Sequence, residues 1–331
     1  FSEEIVFEKM ILISIIILII ICWMMIGYLC FRQGNRIQGD RSKCVLVTGA
    51  ASGIGLATCK RLLKEGCFVY ATDVNEQALE SAFPQPDTSQ LCLKKLDVTS
   101  PSDIEEMASF LSENNVRLFG LINNAGIAAT FNTKVESGKN HLQGIAESTP
   151  EDGKLVFDVN LFGVIRVTAG LQSFLDKGSV IVNIASVAGH YSPAWFGFYG
   201  VTKFGVVAYS DALRKECANL GIRVVVVKPG FTATPLLDVF SDITFDSAHS
   251  RFAQFARKPA EAGKGKLSST STILQTADDV GSVIVDRAVL RENPRPHLVV
   301  DKPIQKMLFE LLPLLPSRMG DFFESLLTKF A

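Results

Sequence analysis

A tyrosine and a lysine four residues apart, Tyr199 and Lys203, are the two side chains in this sequence best suited to acid–base chemistry. On a helix, positions i and i+4 share a face, so the lysine ammonium can lie beneath the tyrosine ring. A free phenol has a pKa of about 10, and a neighbouring ammonium lowers that pKa. The pair could therefore exchange a proton with an alcohol or a carbonyl oxygen. The same spacing also occurs by chance in surface helices, so the pair alone does not establish a catalytic site.

A glycine-rich turn far upstream of this pair predicts a dinucleotide site. The apolar run 45–47 is followed by Gly49, Gly53 and Gly55, and a segment with helical periodicity continues through Leu63. Strand, glycine turn and helix in this order open a βαβ unit that holds a dinucleotide. A β-carbon at the turn would block the backbone from the pyrophosphate, and the helix N-terminus supplies free N–H groups. Glycines also serve ordinary strand-to-helix turns, and that interpretation stays open at this point.

A carboxylate at the end of the next apolar run bears on which cofactor would bind. Asp73 follows the run 67–72, about 20 residues beyond the glycines, where it would bind the adenosine ribose hydroxyls. It would also repel a 2′-phosphate, and no arginine stands at Asn75 or between Gly49 and Gly53 to neutralise one. The sequence therefore predicts NAD rather than NADP. The alternative is that Asp73 is a turn residue or a helix N-cap.

Apolar runs alternate with helical segments along the rest of the chain. This rhythm predicts an α/β fold with a doubly wound parallel sheet. The predicted strands are 45–47, 67–72, 91–96, 118–122, 179–184, 222–228 and 296–301, and the predicted helices begin after the glycine turn and at about 76, 101, 154, 199 and 277. A loop at 128–152 has little apolar periodicity, and it could be solvated or contact a partner.

Further landmarks occur in a fixed order along the chain, and they are the stretch 48–55, Asp97, Asn123 to Gly126, Asn160, Ser186, Tyr199 and Lys203. Together they resemble the short-chain dehydrogenase/reductase family from about Lys43 to Asp301. The resemblance implies a single Rossmann-type domain and an NAD(P)-dependent oxidoreductase, in which the cofactor transfers the hydride. So many landmarks in order make chance a poor explanation of the tyrosine–lysine spacing.

The resemblance also implies roles for individual residues. Tyr199 would take the alcohol proton during oxidation or give one to the carbonyl during reduction, and Ser186 would hydrogen-bond the substrate oxygen. Lys203 would tune Tyr199 and hold the nicotinamide ribose, and Asn160 would anchor the water that links Lys203 to solvent. The implied cofactor contacts besides Tyr199 and Lys203 are Gly49, Ser52, Gly53, Ile54, Gly55, Asp73, Asp97, Val98, Asn124, Ala125, Gly126, Pro229, Gly230, Thr232 and Thr234. No metal ligand is expected.

The substrate class is predicted from features outside these landmarks. The apolar N-terminus, the segment 204–213 and a Leu/Pro-rich tail resemble the membrane-anchored retinol, 17β-hydroxysteroid and 3-hydroxybutyrate dehydrogenases. This resemblance implies a lipophilic alcohol of the steroid or retinoid type as substrate. Phenylalanines of a predicted substrate lid, about 231–276, would line the substrate cavity or merely pack the lid. Two departures from the family are Ala185, where serine is frequent before Ser186, and the long loop 128–152.

Two other functions remain open. One is an NADP-linked ketoreductase of lipid synthesis, against which Asp73 argues. The other is a non-catalytic accessory membrane subunit that keeps a dehydrogenase fold, with the loop 128–152 and the apolar tail as contact surfaces. The complete set of Ser186, Tyr199 and Lys203 argues against the accessory subunit.

Both ends of the chain are apolar outside the predicted domain, 44–302. Residues 10–31 are almost wholly apolar and long enough to cross a bilayer, after an acidic flank, 1–9. The basic linker 32–43 follows, so the positive-inside rule predicts that the domain lies on the cytosolic side. We expect a single-pass membrane protein of the endoplasmic reticulum. The acidic start and the lack of an obvious cleavage site argue against a signal peptide. The amphipathic tail, 303–331, could contact the membrane or pack on the domain or another subunit.

Composition bears on partners and compartment. The net charge of −1 gives no basic excess to neutralise phosphates, which argues against a nucleic-acid partner. The seven cysteines show no disulfide-like spacing, as expected on the cytosolic side of a membrane. The expected partners are a lipophilic small molecule and membrane lipid, and the family resemblance also implies a homo-oligomer.

Overall fold

The computed structural model of the chain describes residues 34–128, 140–141, 145–192, 196–236, 243–244 and 274–311. Its main strands are β1 (Cys44–Thr48), β2 (Phe68–Asp73), β3 (Leu91–Lys95), β4 (Leu118–Asn123), β5 (Leu175–Ile184), β6 (Arg223–Pro229) and β7 (His297–Val300). They form one seven-stranded sheet in the order β7-β6-β5-β4-β1-β2-β3, and every neighbouring pair is parallel. The predicted doubly wound parallel sheet is confirmed.

Helices cover both faces of this sheet. They are α1 (Gly53–Lys64), α2 (Glu76–Ala82), α3 (Pro101–Glu113), α4 (Pro150–Phe157), α5 (Gly163–Leu171), α6 (Gly197–Cys217), α7 (Ala277–Val283) and α8 (Pro303–Leu311). The chain winds outward from β1 to β3 and then crosses to β4, so the strand order reverses between β1 and β4. In such sheets a binding crevice opens at the carboxyl ends of the strands at this point. The glycine turn that follows β1 lies at that crevice.

The central strands β1, β4 and β6 are buried on both faces, which explains why their sequences are continuous apolar runs. In β1, Val45 and Val47 belong to the hydrophobic cluster that contains Leu62 of α1 and Val280 of α7. Leu46 points the other way and belongs to the cluster beneath α3 and α5. The alternation follows from the two-residue period of a strand.

Two elements begin earlier than the sequence predicts. Helix α4 starts at Pro150 rather than near 154, because the backbone N–H and the hydroxyl of Thr149 both donate to the Asp152 carboxylate, at 2.8 and 2.9 Å. Strand β5 starts at 175 rather than 179. After the buried Leu175, residues 176–178 are exposed, Gly178 has a φ of 92°, and the pairing with β4 shifts register there. Neither start shows as an apolar run.

One described helical run, 150–174, is long and apolar enough to cross a membrane. It consists of α4, a π-helical turn at Asp158–Phe162, α5 and a final 3₁₀ turn. Val167 and Leu171 on this run are fully buried in the core beside α3, so its apolar face covers the sheet. The predicted anchor, 10–31, lies outside the described residues and stays a prediction.

The segments that flank the domain contact it where they are described. Within the predicted linker, the backbone N–H of Ile37 donates to the carbonyl of Leu290 at 3.0 Å. Arg36 forms ion pairs with Glu65 at 2.6 Å and with Asp286 at 3.2 Å. At the other end, α8 follows β7 directly and packs against it. The first part of the predicted tail therefore packs on the domain, and 312–331 lies outside the described residues.

Candidate active site

The glycine turn has the shape that its sequence predicts. Gly49 and Gly53 have φ angles of 67° and 52°, a region that favours glycine. A β-carbon on Gly55 would lie 2.1 Å from the carbonyl oxygen of Gly49, so the turn closes without room for a side chain. Asn124 holds the turn from the end of β4, because its Nδ2 donates to the carbonyls of Thr48 and Gly49 at 2.9 and 3.0 Å. The predicted residue Ala125 is fixed in the same way, since its N–H donates to the Thr48 hydroxyl at 3.1 Å.

Asp73 ends β2 beside this turn. One carboxylate oxygen accepts a hydrogen bond from the N–H of Ala51 at 3.0 Å, and the other accepts one from Asn75 at 3.0 Å. The cap of α2 is Asn75, whose Oδ1 accepts from the N–H of Ala78 at 3.0 Å. Asp73 therefore fixes the glycine turn but does not cap the helix. At the end of β3, Asp97 makes a similar turn by accepting from the N–H and the hydroxyl of Thr99, both at 2.8 Å.

A cavity of about 730 Å³ lies at the carboxyl edge of the sheet. Of the predicted site residues, those that line it are Gly49, Ser52, Gly53, Ile54, Asp73, Asp97, Val98, Asn124, Ala125, Gly126, Ser186, Tyr199, Lys203, Pro229, Gly230, Thr232 and Thr234. The two that do not line it are Gly55, which packs under the glycine turn, and Asn160, which lies behind Gly126. The fold thus brings nearly all the predicted residues to one surface.

The three residues predicted to carry out acid–base chemistry, Ser186, Tyr199 and Lys203, come together in this cavity. Tyr199 is buried on α6, and its side chain is hydrogen-bonded to that of Ser186. Ser186 follows β5, and its hydroxyl also accepts from the N–H of Ala188 at 3.1 Å. The Lys203 ammonium lies 5.6 Å from the centre of the Tyr199 ring and donates to the carbonyl of Ile184 at 3.0 Å. The predicted helical spacing therefore places Tyr199 and Lys203 together, and the end of β5 brings Ser186 to them.

The pKa of the tyrosine moves in the direction opposite to the prediction. Burial raises the pKa of Tyr199, and the hydrogen bond with Ser186 acts against that rise. Burial also lowers the pKa of Lys203 to about 8. Sequence spacing showed only the attraction between phenolate and ammonium, whereas the loss of water around both groups disfavours each charge.

Asn160 lies in the π-helical turn between α4 and α5 and is fully buried. Its side-chain oxygen accepts from the N–H of Ile127 at 2.8 Å, and its Nδ2 donates to the carbonyl of the same residue at 2.9 Å. A β-carbon on Gly126 would lie 3.3 Å from this oxygen and 3.5 Å from the ammonium of Lys203. Asn160 therefore fixes the backbone of Ile127, after β4, beside Lys203. That Asn160 binds a water which connects Lys203 to solvent stays a prediction. Turns of the π type are frequent at functional sites.

The turn after β6 forms another part of the cavity wall. The N–H of Gly230 donates to the carbonyl of Val300 at 2.9 Å, and the hydroxyl of Thr232 donates to the carbonyl of Gly230 at 3.0 Å. Thr234 reaches the glycine turn, since a β-carbon on Gly53 would lie 3.2 Å from its methyl group. The turn after β6 and the glycine turn therefore contact each other at the cavity through Thr234 and Gly53.

Comparison with known proteins identifies the family. The family model for short chain dehydrogenases matches residues 43–242. The chain belongs to the short-chain dehydrogenase family. It is 34% identical over 220 residues to retinol dehydrogenase 16 of Rattus norvegicus, covering 66% of this chain and 64% of that protein. It is 35% identical over 205 residues to retinol dehydrogenase 5 of Homo sapiens, covering 60% of this chain and 59% of that protein. The chain thus spans less than two thirds of the length of either relative.

Two further comparisons agree with this assignment. The chain is 31% identical to 17-beta-hydroxysteroid dehydrogenase type 6 of Rattus norvegicus over 63% of this chain and 62% of that protein. A short chain dehydrogenase/reductase structure from Burkholderia phymatum, in complex with NAD, superposes with a TM-score of 0.64. It is 24% identical and covers 83% of this chain and 93% of that chain, so the likeness shows the fold.

Sequence reasoning missed part of the apolar wall of this cavity. The cavity is also lined by Tyr191 and Phe196 before α6, and by Phe309 of α8. Phe309 lies in the segment that the sequence leaves as a tail, and no motif marks it. The phenylalanines of the predicted lid at 240–255 lie outside the described residues.

The buried lysine provides a prediction about stability. We expect Lys203→Met to raise the free energy of unfolding at pH 7 by about 1–2 kcal/mol, because an ammonium with a lowered pKa is destabilised by burial. The loss of the bond to Ile184 offsets part of that gain. In the unfolded chain the lysine titrates near its ordinary pKa of 10.5. The unfolded state therefore binds more protons between about pH 8 and 10.5.

The advantage of Lys203→Met should consequently shrink as the pH rises through this window. Thermal unfolding of both proteins at pH 7 and pH 10 measures it. An advantage that is equal at both pH values would contradict the assignment of the effect to the lysine charge. Lys215→Met, on the outer side of the same helix, is the matched control and should be neutral at both pH values.

Proposed function

We propose that this chain is an NAD-dependent oxidoreductase that interconverts a lipophilic alcohol, of the steroid or retinoid type, and its carbonyl compound. The observation that carries the proposal is the meeting of Ser186, Tyr199 and Lys203 in one cavity with the glycine turn. The names of the relatives, retinol dehydrogenase and 17-beta-hydroxysteroid dehydrogenase, support the substrate class. Tyr191, Phe196 and Phe309 support it from the structure, because they give the cavity an apolar wall.

The glycine turn fits a dinucleotide. Its backbone is closed too tightly for β-carbons, which at Gly49 would meet Ala125 and at Gly55 would meet the carbonyl of Gly49. The N-terminus of α1 opens at the cavity through Ser52 and Gly53. Free N–H groups at a helix start favour a pyrophosphate. The carboxylate of Asp73 stands at the end of the neighbouring strand, at the distance along the chain where ribose hydroxyls are bound.

The chain itself provides the proton transfer and the positioning. A bound nicotinamide would supply or accept the hydride. Tyr199 takes the proton of the alcohol during oxidation or returns it to the carbonyl during reduction, and Ser186 donates a hydrogen bond to the same substrate oxygen. An ammonium has three donors, and Lys203 uses one on Ile184, which leaves donors for the ribose hydroxyls. Asn160 keeps the backbone at Gly126 and Ile127 in place beside this lysine.

A preference for NAD over NADP follows from Asp73. We expect Asp73→Asn to lower the ratio of kcat/KM for NAD to that for NADP by about 10- to 100-fold, because the carboxylate repels a 2′-phosphate. Lys95 pairs with Asp73 in the β3 register and would then attract the phosphate. Steady-state kinetics with both cofactors measure the ratio. Glu76→Gln removes a nearby exposed carboxylate that does not line the cavity, and an equal shift in that control would contradict the role of Asp73.

A membrane position belongs to the same proposal. Residues 10–31 would anchor the chain in the endoplasmic reticulum membrane with the domain on the cytosolic side, which suits a substrate that partitions into the bilayer. Retention in the membrane pellet after alkaline carbonate extraction, and cleavage of the domain by protease added to intact microsomes, test the two parts. Release by carbonate or full protection from protease would refute the respective part.

The direct test of the reaction is initial-rate oxidation of steroid and retinoid alcohols in detergent, with NAD and NADP in parallel. The proposal expects turnover with NAD that rises with the apolar size of the alcohol. Turnover of small water-soluble alcohols alone would refute the substrate class. Nucleotide binding without any turnover would instead favour the accessory membrane subunit.

A further inference from the structure

A buried glutamine outside the cavity joins three segments of the site. Gln275 is only 4% exposed and does not line the cavity. With Thr276 it forms a two-residue strand that pairs in parallel with Thr232 and Ala233, and its N–H donates to the carbonyl of Phe231 at 3.1 Å. The segment 274–276 therefore extends the turn after β6 by backbone pairing.

The side-chain amide of Gln275 adds two bonds to this pairing. Its Nε2 donates to the carbonyl of Val300 at 2.7 Å and to the hydroxyl of Thr232 at 3.2 Å. The carbonyl of Val300 also accepts from the N–H of Gly230, and the hydroxyl of Thr232 donates to the carbonyl of Gly230. The amide thus closes a set of hydrogen bonds that includes the end of β7 and both ends of the Gly230–Thr232 turn.

This set fixes the hydroxyl of Thr232, a residue that lines the cavity. A hydroxyl has one hydrogen and two lone pairs. The hydrogen of the Thr232 hydroxyl goes to Gly230, and one lone pair receives Gln275. The orientation of the remaining lone pair, and of the turn backbone, is therefore determined by the buried amide. Among the described residues, Gln275 is the side chain that bonds both this hydroxyl and the end of β7.

We infer that Gln275 is a positioning residue for cofactor binding, which orients the Gly230–Thr232 turn, where the family resemblance implies cofactor contacts. The inference rests on the proposed function. It gives Gln275 no contact with the cofactor or the substrate, since the residue acts through Thr232 and the turn.

Two variants separate positioning from general stability. Gln275→Met keeps the length of the side chain and removes both donors without adding a charge, and Gln275→Glu places an acceptor-only carboxylate against two acceptors. Each neutral bond of this kind changes an equilibrium by a few fold, so both variants should raise the KM for NAD and the Kd for NADH by about 10-fold. The KM for the alcohol should change by less than about 3-fold. Ser179→Ala is the control, because it removes a buried side-chain bond to Leu118 far from the cavity.

The control should lower the thermal midpoint without changing the Kd for NADH. A second test uses the double variant of Gln275→Met with Thr232→Val. It should bind NADH no more weakly than the weaker single variant does, because both substitutions remove the same set of linked hydrogen bonds. Additive losses, or a Kd that changes only as the thermal midpoint does, would overturn the inference. Unaltered NADH affinity in both Gln275 variants would overturn this inference but leave the proposed function standing. Failure of the wild-type chain to bind NADH would overturn the proposed function and this inference together.

Discussion

Tyr199→Phe should reduce kcat for NAD-dependent alcohol oxidation by about 10³-fold or more, while the Kd for NADH changes little. The substitution removes one oxygen and keeps the ring that α6 buries. General acid–base catalysis contributes about 10²- to 10⁴-fold to an enzymatic rate. The phenol of Tyr199 lies in the cavity and is hydrogen-bonded to Ser186, so it is the group that we expect to transfer the proton. The loss should appear in kcat rather than in the KM for the alcohol, because the proton moves in the transition state.

The chain offers a matched control for this substitution. Tyr209 lies on the same helix, is partly buried and is hydrogen-bonded to Thr168, but it does not line the cavity. Tyr209→Phe should keep most of the activity. If Tyr199→Phe retained more than a tenth of the wild-type kcat, the assignment of the proton transfer to Tyr199 would be wrong, and the substrate oxygen would have to be protonated by another group.

The sequence predicts the backbone of this site well, because the constraints there are local. The glycine turn needs positions without a β-carbon, and Gly49 and Gly53 have the φ angles that such a turn requires. The four-residue spacing of Tyr199 and Lys203 on a helix is enough to place the two side chains on one face. These features depend on residues close together in the chain.

What the sequence could not show depends on long-range packing. The raised pKa of Tyr199 comes from burial by elements distant in the chain. The contribution of Phe309 to the cavity depends on α8 folding back beside β7. The bonds of Gln275 join it to Thr232 and Val300, 43 and 25 residues away. No motif or periodicity encodes contacts of this kind.

Gly55→Ala should destabilise the fold by about 3 kcal/mol and weaken NADH binding by at least about 100-fold. The added β-carbon would lie 2.1 Å from the carbonyl oxygen of Gly49 and 2.6 Å from Nδ2 of Asn124. Overpacking in a closed core costs about 1–3 kcal/mol and occasionally more, and here the obstacle is backbone, which cannot rotate away. Relief requires that Gly49 move, which breaks its bond from Asn124 and opens the glycine turn that lines the cavity.

A second glycine separates the shape of the glycine turn from a general loss of stability. Gly178 also has a positive φ, 92°, but a β-carbon there would have no atom within 4 Å. Gly178→Ala should therefore cost only the backbone strain of about 1–2 kcal/mol, with no change in NADH affinity. Thermal unfolding and NADH fluorescence titration of both variants measure the two effects. If Gly55→Ala bound NADH as tightly as Gly178→Ala does, the glycine turn would not be the pyrophosphate site, because a displaced Gly49 could not leave that site unchanged.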